Sequence, residues 1–377
     1  MNTPATAPGD LAVTGAPPHP PTEQLEQLEQ LAGDCLRWIS GHADRFRLPA
    51  EMTDPTAGTE LNWTMKPLGE LAQLAVAIRR ATPPGCELHA TADQLLDLSW
   101  HELRQGELLL ELFHGEPHAT YPLEIYAAFA GEGLRHDGFE AFARDLCATR
   151  AWRGTEMDPQ RRLGVINAER RARLTPTGDR DAALRRTWLG VLPEPWAFDQ
   201  SAGYSLTHVV FHITDWGARP QQVPADIAGY LRTWLPAWLD TCLDAERWDL
   251  TCELLAVDSA LPTPLDPRHT RPAWRRLAAA RGPDGALPEG GPALLPEHPD
   301  AFRLSYHSTL ACAFAAALAA GRLRAAEAAP PPERPHGGGA PTAGHRPSPR
   351  DDTTHPQHRA HPGDTDGATS GRREEQA

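Results

Sequence analysis

The sequence has almost no lysine: Lys66 is the only one, and every other basic side chain is arginine. Together with abundant alanine and proline, this bias is typical of a GC-rich bacterial genome, so the number of arginines carries little functional meaning. Acidic residues outnumber basic ones, 50 against 36, which gives a formal charge of −14. Because a phosphate backbone attracts proteins with a basic footprint, no nucleic-acid partner is expected.

Three further absences narrow the class of protein. The six cysteines form no C-x-x-C pair and stand in apolar segments, which predicts reduced core thiols. The N-terminus has no charged segment followed by an apolar one, so no secretory signal is expected. The longest apolar run, LACAFAAALAAG, is shorter than the roughly 18 residues that a membrane span needs. The sequence therefore predicts a soluble cytoplasmic protein without a membrane partner.

Several common active-site motifs are also missing. No Walker loop and no G-x-G-x-x-G after a strand is present, which disfavours the usual modes of nucleotide binding. No G-x-S-x-G elbow and no D-D-x-x-D run occurs, which disfavours the common serine hydrolases and diphosphate-bound metal clusters. Any chemistry must therefore come from a less standard set of side chains.

Helical periodicity extends over most of the chain. Runs of β-branched residues and Asn-Gly hairpin signals are scarce, so strands are not expected. Breaks fall at proline and glycine clusters such as LPEP and GPDGALPEGGP, which end helices. The predicted helices are 22–41, 67–81, 93–113, 121–133, 137–149, 160–173, 180–191, 203–216, 224–244, 246–259, 271–281 and 301–323.

The predicted organisation is a single all-α domain, residues 22–326, between two tails. Residues 1–21 and the His-, Pro- and Gly-rich segment 327–377 lack periodicity and large apolar side chains, which predicts disorder. About a dozen helices with short connections favour layered helical hairpins, in which outer helices cover inner ones. The C-terminal part of the domain, residues 191–325, carries the motifs that bear on function.

The segment YSLTHVVFHITDWG, residues 204–217, has two different helical faces. At ~100° per residue, an ordinary core face contains Leu206, Val209, Val210, Ile213 and Trp216. The opposite face contains Tyr204, His208, Phe211, His212 and Asp215. Neither face is suited to bulk water, and buried polar groups need partners. The pattern predicts an inner helix with hydrocarbon on one side and a polar cavity on the other.

Two kinds of chemistry fit the polar face. His208 and His212 are one turn apart and can reach a single divalent metal such as zinc, with Asp215 as the third ligand. Alternatively, His208, Asp215 and Tyr204 form a set suited to proton transfer, in which Asp215 orients the imidazole. The structural alternatives are hydrogen-bonded histidines on a helix face, a tyrosine in the wall, and an Asp215 that bonds the backbone around Gly217.

Two residues on other helices can complete a site. Glu253 lies in the apolar run ERWDLTCELLAV, where burial predicts a carboxylate of raised pKa unless an arginine pairs with it. His307 lies near the start of FRLSYHSTLACAFAAALAAG, where the helix dipole disfavours a protonated imidazole. A neutral His307 is expected as a second ligand, a base or an acid, unless it only hydrogen-bonds locally.

The two motif-bearing segments resemble a family of helical bacterial proteins of unknown function with Y-x-L-T-H, T-D-[FW]-G and Y-H-[ST]-T-L motifs. The resemblance covers 120 to 180 residues of the C-terminal half. Its matching positions are Tyr204, Leu206, Thr207, His208, Thr214, Asp215, Gly217, Tyr306, His307 and Thr309. An aromatic residue is usual in that family at position 212, which favours His208, Asp215 and His307 over a two-histidine metal site.

The turns that follow the helices also resemble those of the α/α toroids, which include terpene cyclases, protein prenyltransferases and peptide cyclases. That likeness implies a central cavity lined by inner helices, but the cyclase acid motif and the Asp/Cys/His zinc pattern of the transferases are absent. We therefore expect an α/α-toroid-like enzyme for a small molecule or peptide, with Tyr204, His208, Asp215, Glu253 and His307 around its cavity. The rival expectation is a non-catalytic helical adaptor for a peptide or protein partner.

Overall fold

The computed structural model describes residues 21–49 and 64–328. Within these ranges the regular structure is helical without any strand, which confirms the predicted all-α class. The helices of the first half are α1 (Pro21–Gly41), α2 (Met65–Ala81), α3 (Glu87–Glu102), α4 (Glu107–Gly115), α5 (Tyr121–Ala130), α6 (Asp137–Cys147) and α7 (Arg150–Gly154). Those of the second half are α8 (Pro159–Arg171), α9 (Arg180–Leu184), α10 (Gln200–Thr214), α11 (Ala225–Asp244), α12 (Trp248–Ser259), α13 (Pro267–Ala280) and α14 (Tyr306–Ala328).

The helix predicted over 93–113 is wrong, because the chain breaks there into α3 and α4. Arg104, Gln105 and Gly106 all have positive φ, at 49°, 53° and 98°. Gly106 also leaves no room for a side chain, since a Cβ at this position would lie 2.8 Å from Cβ of His136. The apolar pattern continues across this break, which is why periodicity alone does not reveal it.

The predicted disordered tails lie almost entirely outside the described residues. Pro21 begins α1, and residues 327 and 328 belong to the last turn of α14. Nothing further tests the boundaries predicted for the domain and its tails.

Six helices close a ring through contacts between successive members. Helix α2 packs against α5, α5 against α8, α8 against α10, α10 against α12, α12 against α14, and α14 against α2. Other helices each cover one ring member: α1 packs on α14, α3 on α2, α4 on α5, α9 on α8 and α11 on α12. Membership of the α/α toroid fold stays a prediction.

The ring helices run in the same direction, because starts meet starts and ends meet ends. The hydroxyl of Tyr204, near the start of α10, donates to Asp249 at the start of α12. Arg161, near the start of α8, lies 2.9 Å from Glu124 near the start of α5. At the opposite end, Arg80 near the end of α2 contacts Asp215, the residue that follows α10. The N-terminal ends of these helices therefore lie on one side of the ring.

Helix α14 packs closely against its neighbours in the ring. A Cβ at Gly321 would lie 2.6 Å from the carbonyl oxygen of Ala81, so this glycine permits the close approach of α14 to α2. By length and composition α14 can cross a membrane, but 61% of its apolar window is buried inside the domain. That burial is typical of the core helix of a soluble protein, while the cytoplasmic location stays a prediction. All six cysteines are free, and five are buried.

Candidate functional site

A cavity of about 510 Å³ lies inside the ring, and all six ring helices contribute to its lining. Trp216, just after the end of α10, lines it as well. Much of the wall is apolar and aromatic. The rings of Phe211 and Trp216 stack with centroids 5.0 Å apart, and Phe314 packs edge-on against Phe211 at 5.7 Å. The volume and the apolar wall both fall within the range of small-molecule sites, roughly 300–1,000 Å³.

One carboxylate, that of Glu253 on α12, lies between two imidazoles. Its Oε1 is 3.3 Å from Nε2 of His307, and its Oε2 is 3.8 Å from Nδ1 of His208. The hydroxyl of Thr207 donates to Oε2 at 2.5 Å. The structure thus brings three of the candidate residues, from α10, α12 and α14, to one part of the cavity wall. Their catalytic role stays a prediction.

The pKa of Glu253 lies below its ordinary value of 4.5. Burial alone would raise this pKa, but electrostatic attraction to His208 and His307, with hydrogen bonds from His307 and Thr207, outweighs burial. The expected carboxylate of raised pKa is therefore wrong. Glu253 is the anionic member of an ion pair, and its cationic partner is His307 rather than the arginine that was the alternative.

His307 also contacts a second carboxylate, on α2. Its Nδ1 lies 3.4 Å from Oε2 of Glu70, which accepts the hydroxyl of Tyr306 at 3.0 Å. Burial alone would lower the pKa of His307, but Glu70 and Glu253 together raise it well above 6.5. The expected neutral imidazole is therefore wrong, because two adjacent carboxylates outweigh the dipole at the start of α14. His307 is an imidazolium at neutral pH.

His208 is held at one ring nitrogen only. Its Nδ1 lies 2.8 Å from the carbonyl oxygen of Tyr204, so Nδ1 carries the proton that is donated to this oxygen. In the neutral imidazole the lone pair is then on Nε2. Within residues 21–49 and 64–328, Nε2 has no hydrogen-bond or ion-pair partner, and the side chain is 35% exposed. His208 therefore presents a free nitrogen where it lines the cavity.

The hydroxyl of Tyr204 bonds a carboxylate rather than the imidazole of His208. It donates to Oδ2 of Asp249, whose pKa is raised, chiefly by burial. Tyr204 lines a second pocket rather than the ring cavity. Tyr204 contacts the imidazole of His208 through its backbone carbonyl oxygen. The sequence predicts a contact between the two side chains instead.

Asp215 is not the residue that orients His208. Its backbone is left-handed, with φ 52°, because α10 ends at Thr214. Its carboxylate lies 3.2 Å from Nη1 of Arg80 and 3.6 Å from Nε of Arg171. The predicted pairing of Asp215 with His208 is corrected by this geometry: Glu253 is the carboxylate beside His208.

The predicted metal ligands, His208, His212 and Asp215, do not converge on one point. The ring centroids of His208 and His212 are 6.3 Å apart, and Asp215 is held by arginines. Nowhere in the described part of the chain do three His, Cys, Asp or Glu side chains form a group that could hold a metal ion. The three side chains therefore do not form the predicted zinc site.

His212 faces a different part of the cavity wall. Burial, then the charges of His208, Arg161 and Arg171, lower its pKa to about 3, so the imidazole is neutral. A Cβ at Gly164 on α8 would lie 3.0 Å from Nε2 of His212. This glycine therefore leaves the space that the imidazole occupies.

Several lining residues were not singled out in the sequence. They are Glu70, Gln73, Tyr121, Glu124 and Arg171. Nε2 of Gln73, the hydroxyl of Tyr121 and Nε of Arg171 are buried without a hydrogen bond in the described structure, which leaves unmet polar capacity in this wall. The signal for Glu124 was a carboxylate in an apolar run, YPLEIYAAFA, as for Glu253. Burial raises the pKa of Glu124, and Arg161 only partly offsets it.

An ionic network joins the C-terminal ends of four ring helices, α2, α5, α8 and α10. Arg80 bonds Glu132 at 2.7 Å and Asp215 at 3.2 Å, and Arg79 also bonds Glu132. Arg171, near the end of α8, completes the network. Arginines at helix C-termini are favoured by the helix dipole. Arg171 of this network lines the cavity, whereas Glu70 and His307 lie near the N-terminal ends of α2 and α14.

The chain matches the model of a family described as a domain of unknown function, DUF6895, over residues 32–317. The chain belongs to this family. The expected membership of an uncharacterised helical family is thereby confirmed, whereas the motifs that suggested it stay a prediction. No curated protein and no solved structure matches the chain. The matched residues of the DUF6895 domain include all the candidate site residues.

Proposed function

We propose that the DUF6895 domain is an enzyme that binds a small, largely apolar molecule in the ring cavity and moves a proton on it. The observation that carries this proposal is the state of His208. Its Nδ1 is anchored to the carbonyl of Tyr204, while Nε2 is free and the residue lines the cavity. An imidazole fixed in one tautomer beside a carboxylate is the usual arrangement of a general base.

The neighbouring residues have distinct parts in this proposal. His208 accepts a proton from an O–H, N–H or activated C–H group of the bound molecule at Nε2. Glu253, 3.8 Å from Nδ1, stabilises the imidazolium that forms, and it is itself held by Thr207 and His307. Glu253 and Tyr204 are therefore positioning residues. The apolar wall strengthens these electrostatic interactions because it excludes water.

The base is tested with 5-nitrobenzisoxazole, a small aromatic molecule that fits an apolar cavity. A base removes its carbon-bound ring proton, the ring N–O bond breaks, and a cyano-nitrophenolate forms. The proton stays on the imidazole until water removes it. We expect saturable turnover, and we expect His208→Gln to lower it by about 100-fold or more.

The matched control is His101→Gln, at an exposed histidine on α3 that does not line the cavity. This variant should keep the full rate. Equal rates for His208→Gln and wild type would overturn the proposal that His208 is the base.

A second candidate, non-catalytic binding of a small molecule or peptide, is favoured by a different observation. Glu70, His307 and Glu253 pair with each other, as in a network that only fixes the positions of helices. Saturable binding of the aromatic probe, with a slow turnover that His208→Gln does not change, would support this candidate.

A further inference from the structure

A second pocket, of about 470 Å³, lies where α8 and α10 begin. It is lined by residues at the start of both helices and by the segment 186–188 that follows α9. His208 and Gln160 line this outer pocket and the ring cavity alike. The two spaces therefore adjoin, and His208 is the titratable side chain that they share.

The outer pocket differs from the ring cavity in its chemistry. Its polar side chains include Asp158, Gln160, Arg186, Ser201 and Ser205. None of these five side chains makes a hydrogen bond or an ion pair within the described ranges, so all are available to a ligand. The two charged ones have opposite signs. The outer pocket also contains Pro159 and Trp188, but its wall is mostly polar, whereas the wall of the ring cavity is mostly apolar.

From this contrast we infer that the substrate of the DUF6895 domain is amphipathic. Its apolar body occupies the ring cavity, its uncharged, hydroxyl-rich head group occupies the outer pocket, and the reacting atom lies at the junction beside His208. The inference rests on the proposed function and adds the substrate class to it.

An uncharged head group follows from the lining. Two serine hydroxyls and the Gln160 amide donate and accept hydrogen bonds, which matches hydroxyl groups. The opposite charges of Asp158 and Arg186 give no net attraction for an anion or a cation. The hydroxyl of Tyr204 is already donated to Asp249, so it adds no free donor.

The inference is tested by the binding of three amphiphiles that share an octyl group: octyl glucoside, octan-1-ol and octyltrimethylammonium. Each compound is titrated into a solution of the protein, below its critical micelle concentration, and the heat of binding is measured by calorimetry. We expect octyl glucoside to bind at least about tenfold more tightly than the other two, because only its head group makes the new hydrogen bonds.

Ser205→Tyr, which fills the outer pocket, should remove this advantage and leave octan-1-ol binding unchanged. Ser201→Tyr fills the same pocket from an exposed position and tests the inference again if Ser205→Tyr does not fold. The control, Ser40→Tyr, places the same side chain on the exposed surface of α1, outside this pocket.

Equal affinities for octyl glucoside and octan-1-ol would overturn the inference, as would an advantage that both serine variants retain. Tighter binding of octyltrimethylammonium would overturn the uncharged head group. These outcomes differ from a failure of the proposed function, which is read from 5-nitrobenzisoxazole, a probe without such a head group.

Discussion

Nε2 of His307 lies 3.3 Å from Oε1 of Glu253, and this contact joins α14 to α12 across a wall of the ring cavity. The same imidazole reaches Glu70 on α2. One protonated side chain therefore holds three of the six ring helices together. Removal of such a central cation leaves two carboxylates facing each other, which costs more than the loss of a single contact.

We expect His307→Gln to lower the free energy of unfolding by about 3–5 kcal/mol, the usual cost of breaking a buried ion pair. The loss should depend on pH. Because the folded pKa of His307 is raised above 6.5, its contribution is complete below pH 6.5 and is lost as the pH rises through the folded value. The carboxylates have folded pKa values below 4.5, so their contribution is lost only in stronger acid.

Urea unfolding of wild type and His307→Gln between pH 5 and pH 9 measures this dependence. The difference in stability should be largest near pH 5 to 6 and should decrease toward alkaline pH. His101→Gln, at an exposed position, should show no such trend. A difference that grows with pH would contradict the raised pKa of His307.

His212 should affect stability with the opposite sign. Its folded pKa is about 3, against an ordinary value of 6.5. Between these values the unfolded chain binds the extra proton, so the wild type loses stability as the pH falls from 6.5 toward 3. His212→Gln should remove this loss, and the stability advantage of wild type over the variant should shrink in acid.

The titration of His212 can be measured directly by NMR. Its ring C–H signals should stay constant from pH 8 to pH 4.5. A midpoint for His212 near pH 6.5 would mean that the imidazole is not buried in the way the structure shows.

Much of α10 could be predicted from the sequence because its periodicity is regular. Leu206, Val209, Val210 and Ile213 are buried on one side, and the cavity lies on the other. The prediction failed at Asp215 for a physical reason. The rule of ~100° per residue applies only inside a helix, and φ at residue 215 is 52°, so its side chain leaves the face shared by His208.

The charge states in the cavity could not be predicted from single segments. His307 looks neutral from its own helix, because only the dipole of α14 is visible there. Its charge depends on Glu70 and Glu253, which stand 237 and 54 positions earlier in the sequence and meet it only when the ring closes. The residue Glu124 was detectable by the same signal as Glu253, an isolated carboxylate in an apolar run.

Substitutions of Asp215 and Glu253 should separate the roles of these two carboxylates. Asp215→Asn keeps a residue that tolerates positive φ but removes the negative charge beside Arg171, whose pKa is lowered to about 10 by burial. We expect a stability loss of about 3 kcal/mol and an unchanged turnover of 5-nitrobenzisoxazole per folded molecule. Unfolding by urea and steady-state kinetics measure the two effects.

Glu253→Gln should have a different kinetic effect. We expect kcat to fall at least about tenfold with an unchanged KM, because Glu253 acts on the imidazole of His208 and not on the bound molecule. If Asp215→Asn lowers kcat as much as Glu253→Gln, the assignment of Glu253 as the positioning carboxylate is contradicted.

The last prediction concerns Glu169, a fully buried carboxylate on α8 that does not line the ring cavity. Its oxygens accept Nε1–H of Trp152 at 3.0 Å, and the backbone N–H and hydroxyl of Thr177 at 2.8 and 2.6 Å. In Glu169→Gln one oxygen becomes an NH₂ group, so a donor faces a donor. We expect the free energy of unfolding in urea to fall by about 1–3 kcal/mol without any change in turnover per folded molecule.

Glu156→Gln, at an exposed position, is the control and should change stability by less than about 0.5 kcal/mol. One amide oxygen cannot accept hydrogen bonds from all three donors. Full stability of Glu169→Gln would therefore show that the loop after α8 does not depend on this carboxylate.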